Sequence, residues 1–269
     1  MNRVADKVQV MGILNVTPDS FYDGGNFNAT DKAIAQALSM CDAGAAIIDI
    51  GGESTRPGAA DVSVQDELNR VVPVIRELKA QSGVEISIDT SRPEVMQAAI
   101  DAGATVINDV RALQVPGALE MAASLDVPIC LMHMKGQPRT MQANPHYQNV
   151  VVEVLDFLKQ RVDICLAAGI KQQNIWLDPG FGFGKNLSHN LSLLKHLDEF
   201  VETGFPVLAG MSRKSMLGAI LDREVQDRLP GSLALATIAV LKGVSILRVH
   251  DVRETVDVVK VCNAFMQAN

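Results

Sequence analysis

Aromatic residues make up only 4% of this 269-residue sequence, against 48% hydrophobic residues in all. A core with so few rings has to be aliphatic, which suits Val, Ile, Leu and Ala packed on parallel strands buried on both faces. A basic excess is missing too: 24 Lys and Arg against 31 Asp and Glu leave a net charge of −7. That sign argues against a general nucleic-acid or anionic-membrane surface, so any anionic ligand must be held by a local cluster. Cys41, Cys130, Cys165 and Cys262 lie far apart, with no CxxC pair and no histidine at metal-ligand spacing. A disulfide framework and a structural zinc site are therefore disfavoured, and the four read as reduced packing residues. The polar stretch Met1 to Lys7 runs into the apolar Val8 to Leu14 and then a proline-containing loop, too short for a signal segment or a membrane span. The expected compartment is the cytoplasm. No GxGxxG or GxxxxGK[ST] pattern supports nucleotide binding. A GxSxG elbow is also absent, and His133, His146, His189 and His196 form no triad or metal set with a Ser or Cys, which disfavours hydrolysis.

What is present is an alternation. Short apolar runs ending in polar or glycine-containing loops recur at Val8–Leu14, Ala45–Ile50, Glu85–Asp89, Thr105–Asp109, Val127–Met132, Ile175–Asp178, Val207–Gly210 and Ser245–Val249. Between and after them, amphipathic stretches predict helices over Asp31–Asp42, Val64–Gln81, Pro93–Ala102, Gly117–Leu125, Val150–Ala168, Leu191–Glu202, Ser232–Lys242 and Arg253–Met266. Thr30 reads as an N-cap, Pro93 as a first-turn residue, and Gly44, Gly103 and Gly169 as helix-ending glycines. Eight strand–helix pairs in strict order predict an α/β fold, a single (β/α)8 TIM barrel spanning residues 1–269, with its site at the C-terminal ends of the strands.

The strand ends carry the chemistry. The first ends in Asn15-Val16-Thr17-Pro18-Asp19-Ser20-Phe21, and the second in Asp49-Ile50-Gly51-Gly52-Glu53-Ser54-Thr55-Arg56-Pro57-Gly58. The next ends are Asp89, then Asn108-Asp109, then Met132-His133. The last three are Asp178 to Lys185 (DPGFGFGK), Ser212-Arg213-Lys214-Ser215, and Arg248-Val249-His250-Asp251. Carboxylates and an amide at a barrel mouth could read the polar edge of a flat heterocycle; equally, each alone could cap a loop or pair with an Arg or Lys. Arg248 offers a donor fork suited to phosphate oxygens and His250 a ring N–H, yet a salt bridge from this pair to Asp251 or Asp49 is the plainer alternative. Lys214 could be a solvated surface lysine.

Taken together, NVTPDSF, GGESTRPG, SIDT, NDV, DPGFGFGK, SRK and RVH, in this order from about Met11 to Asp251, closely resemble the dihydropteroate synthases. The resemblance implies a transferase of folate biosynthesis on the same barrel. It would join (7,8-dihydropterin-6-yl)methyl diphosphate to p-aminobenzoate by an ionising, SN1-like path, releasing pyrophosphate and 7,8-dihydropteroate. It places Asp89, Asn108, Met132, Asp178, Phe183 and Lys214 around the pterin, and Asn15, Thr55, Arg248 and His250 at the diphosphate. Mg²⁺ is the implied cofactor, with Asn15 as its protein ligand. Lys214, Arg248, His250 and Asp89 are the implied catalytic groups. The p-aminobenzoate subsite falls to Phe21, Thr55, Pro57, Phe183, Lys214 and Ser215, gated by Arg56. The family also implies sulfonamide sensitivity and a homodimer formed through the later helices. Two rival readings share parts of this pattern: a barrel that presents a methylated folate to a cobalamin protein, and a catalytically silent scaffold. The former needs no diphosphate clamp; the latter would have lost a charged strand-end residue. Both long loops, Asn15–Ala29 and Gly51–Val62, are expected to move in the absence of ligands.

Overall fold

The computed structural model describes residues 8–17, 26–53, 62–136 and 141–268, with the side chains of 26–29 outside that description. Strand β1 (Gln9–Asn15) is followed by α1 (Asn26–Asp42), β2 (Ile47–Gly51) by α2 (Val64–Gln81), β3 (Glu85–Asp89) by α3 (Pro93–Ala102), and β4 (Val106–Asp109) by α4 (Ala118–Leu125). The second half continues with β5 (Ile129–Met132), α5 (Val150–Ala167), β6 (Ile175–Asp178), α6 (Leu187–Lys195), α7 (Leu197–Val201) and β7 (Leu208–Ala209). Helices α8 (Ser215–Leu221) and α9 (Leu229–Leu241), strand β8 (Ile246–Val249) and helix α10 (Val252–Gln267) complete it.

All eight strands are parallel, in the order β6-β5-β4-β3-β2-β1-β8-β7. A parallel bridge between Leu177 and Val207, with Leu177 N–H donating to Pro206 O at 2.9 Å, joins β6 to the entry of β7 and closes the ring. This is the (β/α)8 barrel expected from the alternation. Successive strand residues face opposite sides, and burial sorts them accordingly. Ile48 and Ile50 belong to the large apolar layer under the helices, whereas Ile47 joins Met11, Val106, Cys130, Trp176, Leu208 and Ile246 in a separate cluster inside the barrel. The inward positions two residues further along are Asp49, Asn108, Met132, Asp178 and Arg248. An apolar floor thus carries a polar layer, and that layer is the site.

The structure corrects several sequence expectations. Thr30 lies inside α1, which begins at Asn26, so it is not the N-cap. The helix expected over Leu191–Glu202 starts earlier and breaks at His196 into α6 and α7. Its start is set by Asn186, whose side chain accepts from His189 N–H while the His189 ring bonds back to Asn186 N–H, a capping box with histidine in place of the usual Glu or Gln. Two helices, α8 and α9, rather than one separate β7 from β8. Gly44, Gly103 and Gly169 do take the positive φ expected of helix-ending glycines.

Candidate active site at the barrel mouth

Register brings the polar strand ends side by side. Asn15 pairs with Gly51, Gly51 with Asp89, and Asp89 with Asn108, while Met132 pairs with Asp178. Arg248 spans the centre of this group. Its Nε donates to Asp49 Oδ2 at 2.6 Å and its NH2 to Asp89 Oδ2 at 2.8 Å. Asn108 Nδ2 donates to the same Asp49 oxygen at 3.0 Å. Of the two carboxylates open to Arg248 from sequence, the partner is therefore Asp49 and not Asp251. Asp251 instead grips Arg213, whose Nε donates to it at 2.9 Å and whose NH2 makes a second, very short contact.

Asp89 faces the mouth and is part-buried; burial pushes its carboxyl up to about 7 against the pull of Arg248. Asp178 is also displaced upward by burial, with Lys214 opposing the shift, and its Oδ1 accepts from Gly180 N–H at 2.7 Å. Lys214 is not a solvated surface lysine. It is part-buried, donates to Phe181 O, and sits 4.6 Å over the Phe183 ring. Burial lowers its ammonium to about 8. Arg213, one residue before it, adopts a left-handed φ of 57°. That conformation is costly for a side-chain-bearing residue. It is held by Asp251, by its own N–H on Ser232 Oγ at 3.0 Å, and by Arg228 NH1 on its carbonyl at 3.1 Å. The clamp sets the direction in which Lys214 leaves the chain.

His250 packs beside Ser212: its N–H donates to Ser212 Oγ at 3.2 Å and its Nδ1 lies 3.1 Å from the same oxygen. Met132 is buried beside Asp178, one layer above the floor. Ser215 opens α8 and is exposed at the rim. Asp109, adjacent to Asn108, turns to its own loop, where it accepts from Ser91 Oγ and from the N–H groups of Arg111 at 2.8 Å and Leu113 at 2.7 Å. One strand end thus yields one site residue and one loop cap. Phe21, Thr55, Arg56 and Pro57 lie outside the described residues, as does most of both long loops.

Sequence reasoning passed over Lys185. Lys185 is 2% exposed, and its Nζ lies within hydrogen-bond reach of His133 Nδ1 (2.9 Å) and of the carbonyls of Gly180 (2.8 Å), Phe183 (3.1 Å) and His133 (3.3 Å), four acceptors shared among its N–H groups. Burial takes His133 down to about 3, so it stays neutral and can accept. These bonds cross-brace the turn after β6 to the end of β5. Gly180 and Gly184 have positive φ, and a Cβ on either would strike the carbonyl of His133 or Lys135. The glycines of DPGFGFGK therefore allow a close approach of two backbones, and they present Phe181 O and the Phe183 ring to Lys214. The signal in sequence was the motif itself, but the acceptors of Lys185 are mostly backbone carbonyls and leave no side-chain pattern.

No group of three or more His, Cys, Asp or Glu suited to a metal occurs among the described residues. Asn15 offers a different donor. A Cβ on Gly51 would lie 3.8 Å from Asn15 Oδ1 and 3.7 Å from Asp89 Oδ2, so this glycine keeps space open between an amide oxygen and a carboxylate. A single neutral oxygen donor of this kind fits Mg²⁺, which takes few protein ligands and leans on phosphate and water for the rest.

Comparison with known proteins agrees with this geometry. The model of the family described as "Pterin binding enzyme" matches residues 11–250. The dihydropteroate synthase of Haemophilus influenzae is 57% identical over 260 residues, covering 97% of this chain and 94% of that protein. Among solved structures, a Yersinia pestis dihydropteroate synthase in complex with a sulfonamide drug superposes with a TM-score of 0.94 at 52% identity, covering 98% of this chain and 96% of that one. A Xanthomonas albilineans dihydropteroate synthase in complex with 7,8-dihydropteroate does so with a TM-score of 0.90 at 46% identity, covering 98% and 96%. This chain belongs to the pterin-binding enzyme family, among its dihydropteroate synthases.

Proposed function

We propose that the protein condenses (7,8-dihydropterin-6-yl)methyl diphosphate with p-aminobenzoate to give 7,8-dihydropteroate and pyrophosphate. One observation carries this reading: Asp89, Asn108, Asp178, Lys214 and Arg248 converge on one polar layer above an apolar floor, in a chain matched over nearly its whole length by dihydropteroate synthases.

Asp89, Asn108 and Asp178 supply the acceptors and donors for the amino and ring N–H edge of the pterin, while Met132 and Phe183 contact its faces. Lys214, charged below about pH 8, donates to a ring acceptor. Arg248 and His250, with Thr55, receive the diphosphate oxygens, the guanidinium through the donors that Asp49 and Asp89 leave free. Asn15 would hold the Mg²⁺, which neutralises diphosphate charge. The bond between the exocyclic methylene and the diphosphate oxygen breaks, and its electron pair leaves with pyrophosphate. The methylene cation is delocalised into the pterin and favoured by the carboxylates beneath it. The amine lone pair then forms the new C–N bond, and the ammonium proton goes to solvent. No protein nucleophile is required. The p-aminobenzoate subsite comprises Phe21, Thr55, Arg56, Pro57, Phe183, Lys214 and Ser215.

Two further parts of the reading concern the whole protein. Ile238 and Leu241 of α9 and Val261 and Phe265 of α10 are large exposed apolar side chains, which supports a homodimer through the later helices. No described helix is long and apolar enough to cross a membrane, and the four free cysteines suit a reducing compartment such as the cytoplasm. The reaction is tested by incubating the purified protein with the pterin diphosphate and Mg²⁺, with and without p-aminobenzoate. 7,8-Dihydropteroate and pyrophosphate should form together and only in the complete mixture.

A further inference from the structure

Asp49 has no exposed surface, yet it carries a carboxylate into the barrel interior. Its Oδ2 accepts from Arg248 Nε and Asn108 Nδ2, while its Oδ1 has no hydrogen-bond partner among the described residues. Leaving a buried polar atom unpaired costs about 1–3 kcal/mol. An apolar residue like Ile47, the next inward position below it, would fill the barrel without that cost, and buried ion pairs rarely repay their desolvation in stability alone. Departures of this kind concentrate where function demands them.

The arrangement shows what the demand is. Arg248 is held from two strands, by Asp49 of β2 and by Asp89 of β3. The two holders differ in access: the Asp89 side chain is 13% exposed at the mouth, whereas that of Asp49 is sealed. A pterin can therefore compete for Asp89 but cannot reach Asp49. When the ring engages Asp89, the NH2 contact of Arg248 can be shared or given up, while the Nε contact below remains. The same carboxylate oxygen fixes the amide of Asn108, so one buried group sets two residues that face the ring. It also adds a third carboxylate, beside Asp89 and Asp178, to the layer that faces the ring, where Arg248, Lys214 and Lys185 are the nearby cations. Carboxylates placed there favour a ring on which positive charge develops.

We propose that Asp49 is a positioning residue of this reaction, anchoring Arg248 and Asn108 from beneath the pterin without touching substrate. The inference rests on the reaction proposed above. Its test is Asp49→Asn, which keeps the shape and removes the charge, measured beside wild type, Arg248→Gln and the double variant. In Asp49→Asn, kcat should fall at least about tenfold while the KM for p-aminobenzoate stays within about twofold. A residue that only stabilised the fold would instead lower the melting temperature without that split. Because Asp49 acts largely through Arg248, the double variant should lie within about threefold of Arg248→Gln alone. An Asp49→Asn enzyme with kcat within about twofold of wild type, or single losses that simply multiply in the double variant, would overturn the proposal. If Asp49→Asn does not fold, a structure of the wild-type protein with a pterin bound decides. Arg248 Nε should remain within about 3.2 Å of Asp49, and a guanidinium that has left Asp49 would contradict the inference. A wild-type protein that makes no pteroate would bring down the reaction; an active one indifferent to Asp49→Asn would bring down this inference alone.

Discussion

Asp89 and Lys214 enclose a narrow window of pH in which the free enzyme is ready to bind. Asp89 must be ionised to accept from the pterin, and burial places its carboxyl at about 7. Lys214 must be protonated to donate, and burial places its ammonium at about 8. The pH profile of kcat/KM reports free-enzyme groups. Once the substrate's own phosphate ionisation is allowed for, it should rise through about 7 and fall beyond about 8. The acid limb should disappear in Asp89→Asn; its persistence would assign that limb elsewhere. The same shift bears on stability. A folded state that holds the Asp89 proton more tightly than the unfolded chain is favoured below 3.8, and this contribution is lost as pH rises to about 7. His133, held near 3, remains neutral throughout this range. In the proposed reaction Arg248 receives the diphosphate and Asp178 the pterin, so Arg248→Ala and Asp178→Ala should each lower kcat/KM by at least about a hundredfold. Losses within about twofold for both would contradict their placement.

The element that most determines the pocket's shape is the turn after β6. Lys185 stitches it to the end of β5, Tyr147 OH donates to Gly184 O at 2.9 Å, and Asn190 Oδ1 accepts from Gly182 N–H at 2.7 Å. This bracing presents Phe181 O and Phe183 to Lys214 before any ligand arrives. Gly184→Ala would drive a Cβ into the carbonyl of Lys135 at a positive φ, which costs about 1 kcal/mol in backbone conformation before the clash is counted. The variant should melt at lower temperature and show a raised KM for the pterin diphosphate, with the KM for p-aminobenzoate less affected. Unchanged melting and unchanged pterin KM would show that the turn is not rigid in the way its bonds indicate.

At the scale of the molecule, much was legible from the strand alternation, because parallel strands under helices are buried on both faces and stand out as apolar runs. β3 and β6 fall where the periodicity put them, and the polar residues at strand ends do meet at one mouth. Less legible was anything decided by contacts distant in sequence. Val8, Ala45 and Val127 are apolar yet precede the ladder, since they lead the chain in rather than pair. The seven-residue α8 is too short to show a period. Asp49 was legible only as one of two possible salt-bridge partners of Arg248, and Lys185 not at all, because strand register and backbone carbonyls define their roles and no motif spells those out. The homodimer proposed above would cover the exposed Ile238, Leu241, Val261 and Phe265. Light scattering should give twice the 28.9 kDa chain mass, and a monomer at micromolar concentration would count against the pairing.

The central claim is that one mouth binds a pterin diphosphate and passes its methylene to an aromatic amine. It is tested most directly by measuring pyrophosphate and 7,8-dihydropteroate together in a single reaction with purified protein and Mg²⁺. The two should appear in equal amounts, and omission of p-aminobenzoate should abolish both. No 7,8-dihydropteroate from the complete mixture, with the diphosphate left intact, would contradict the claim.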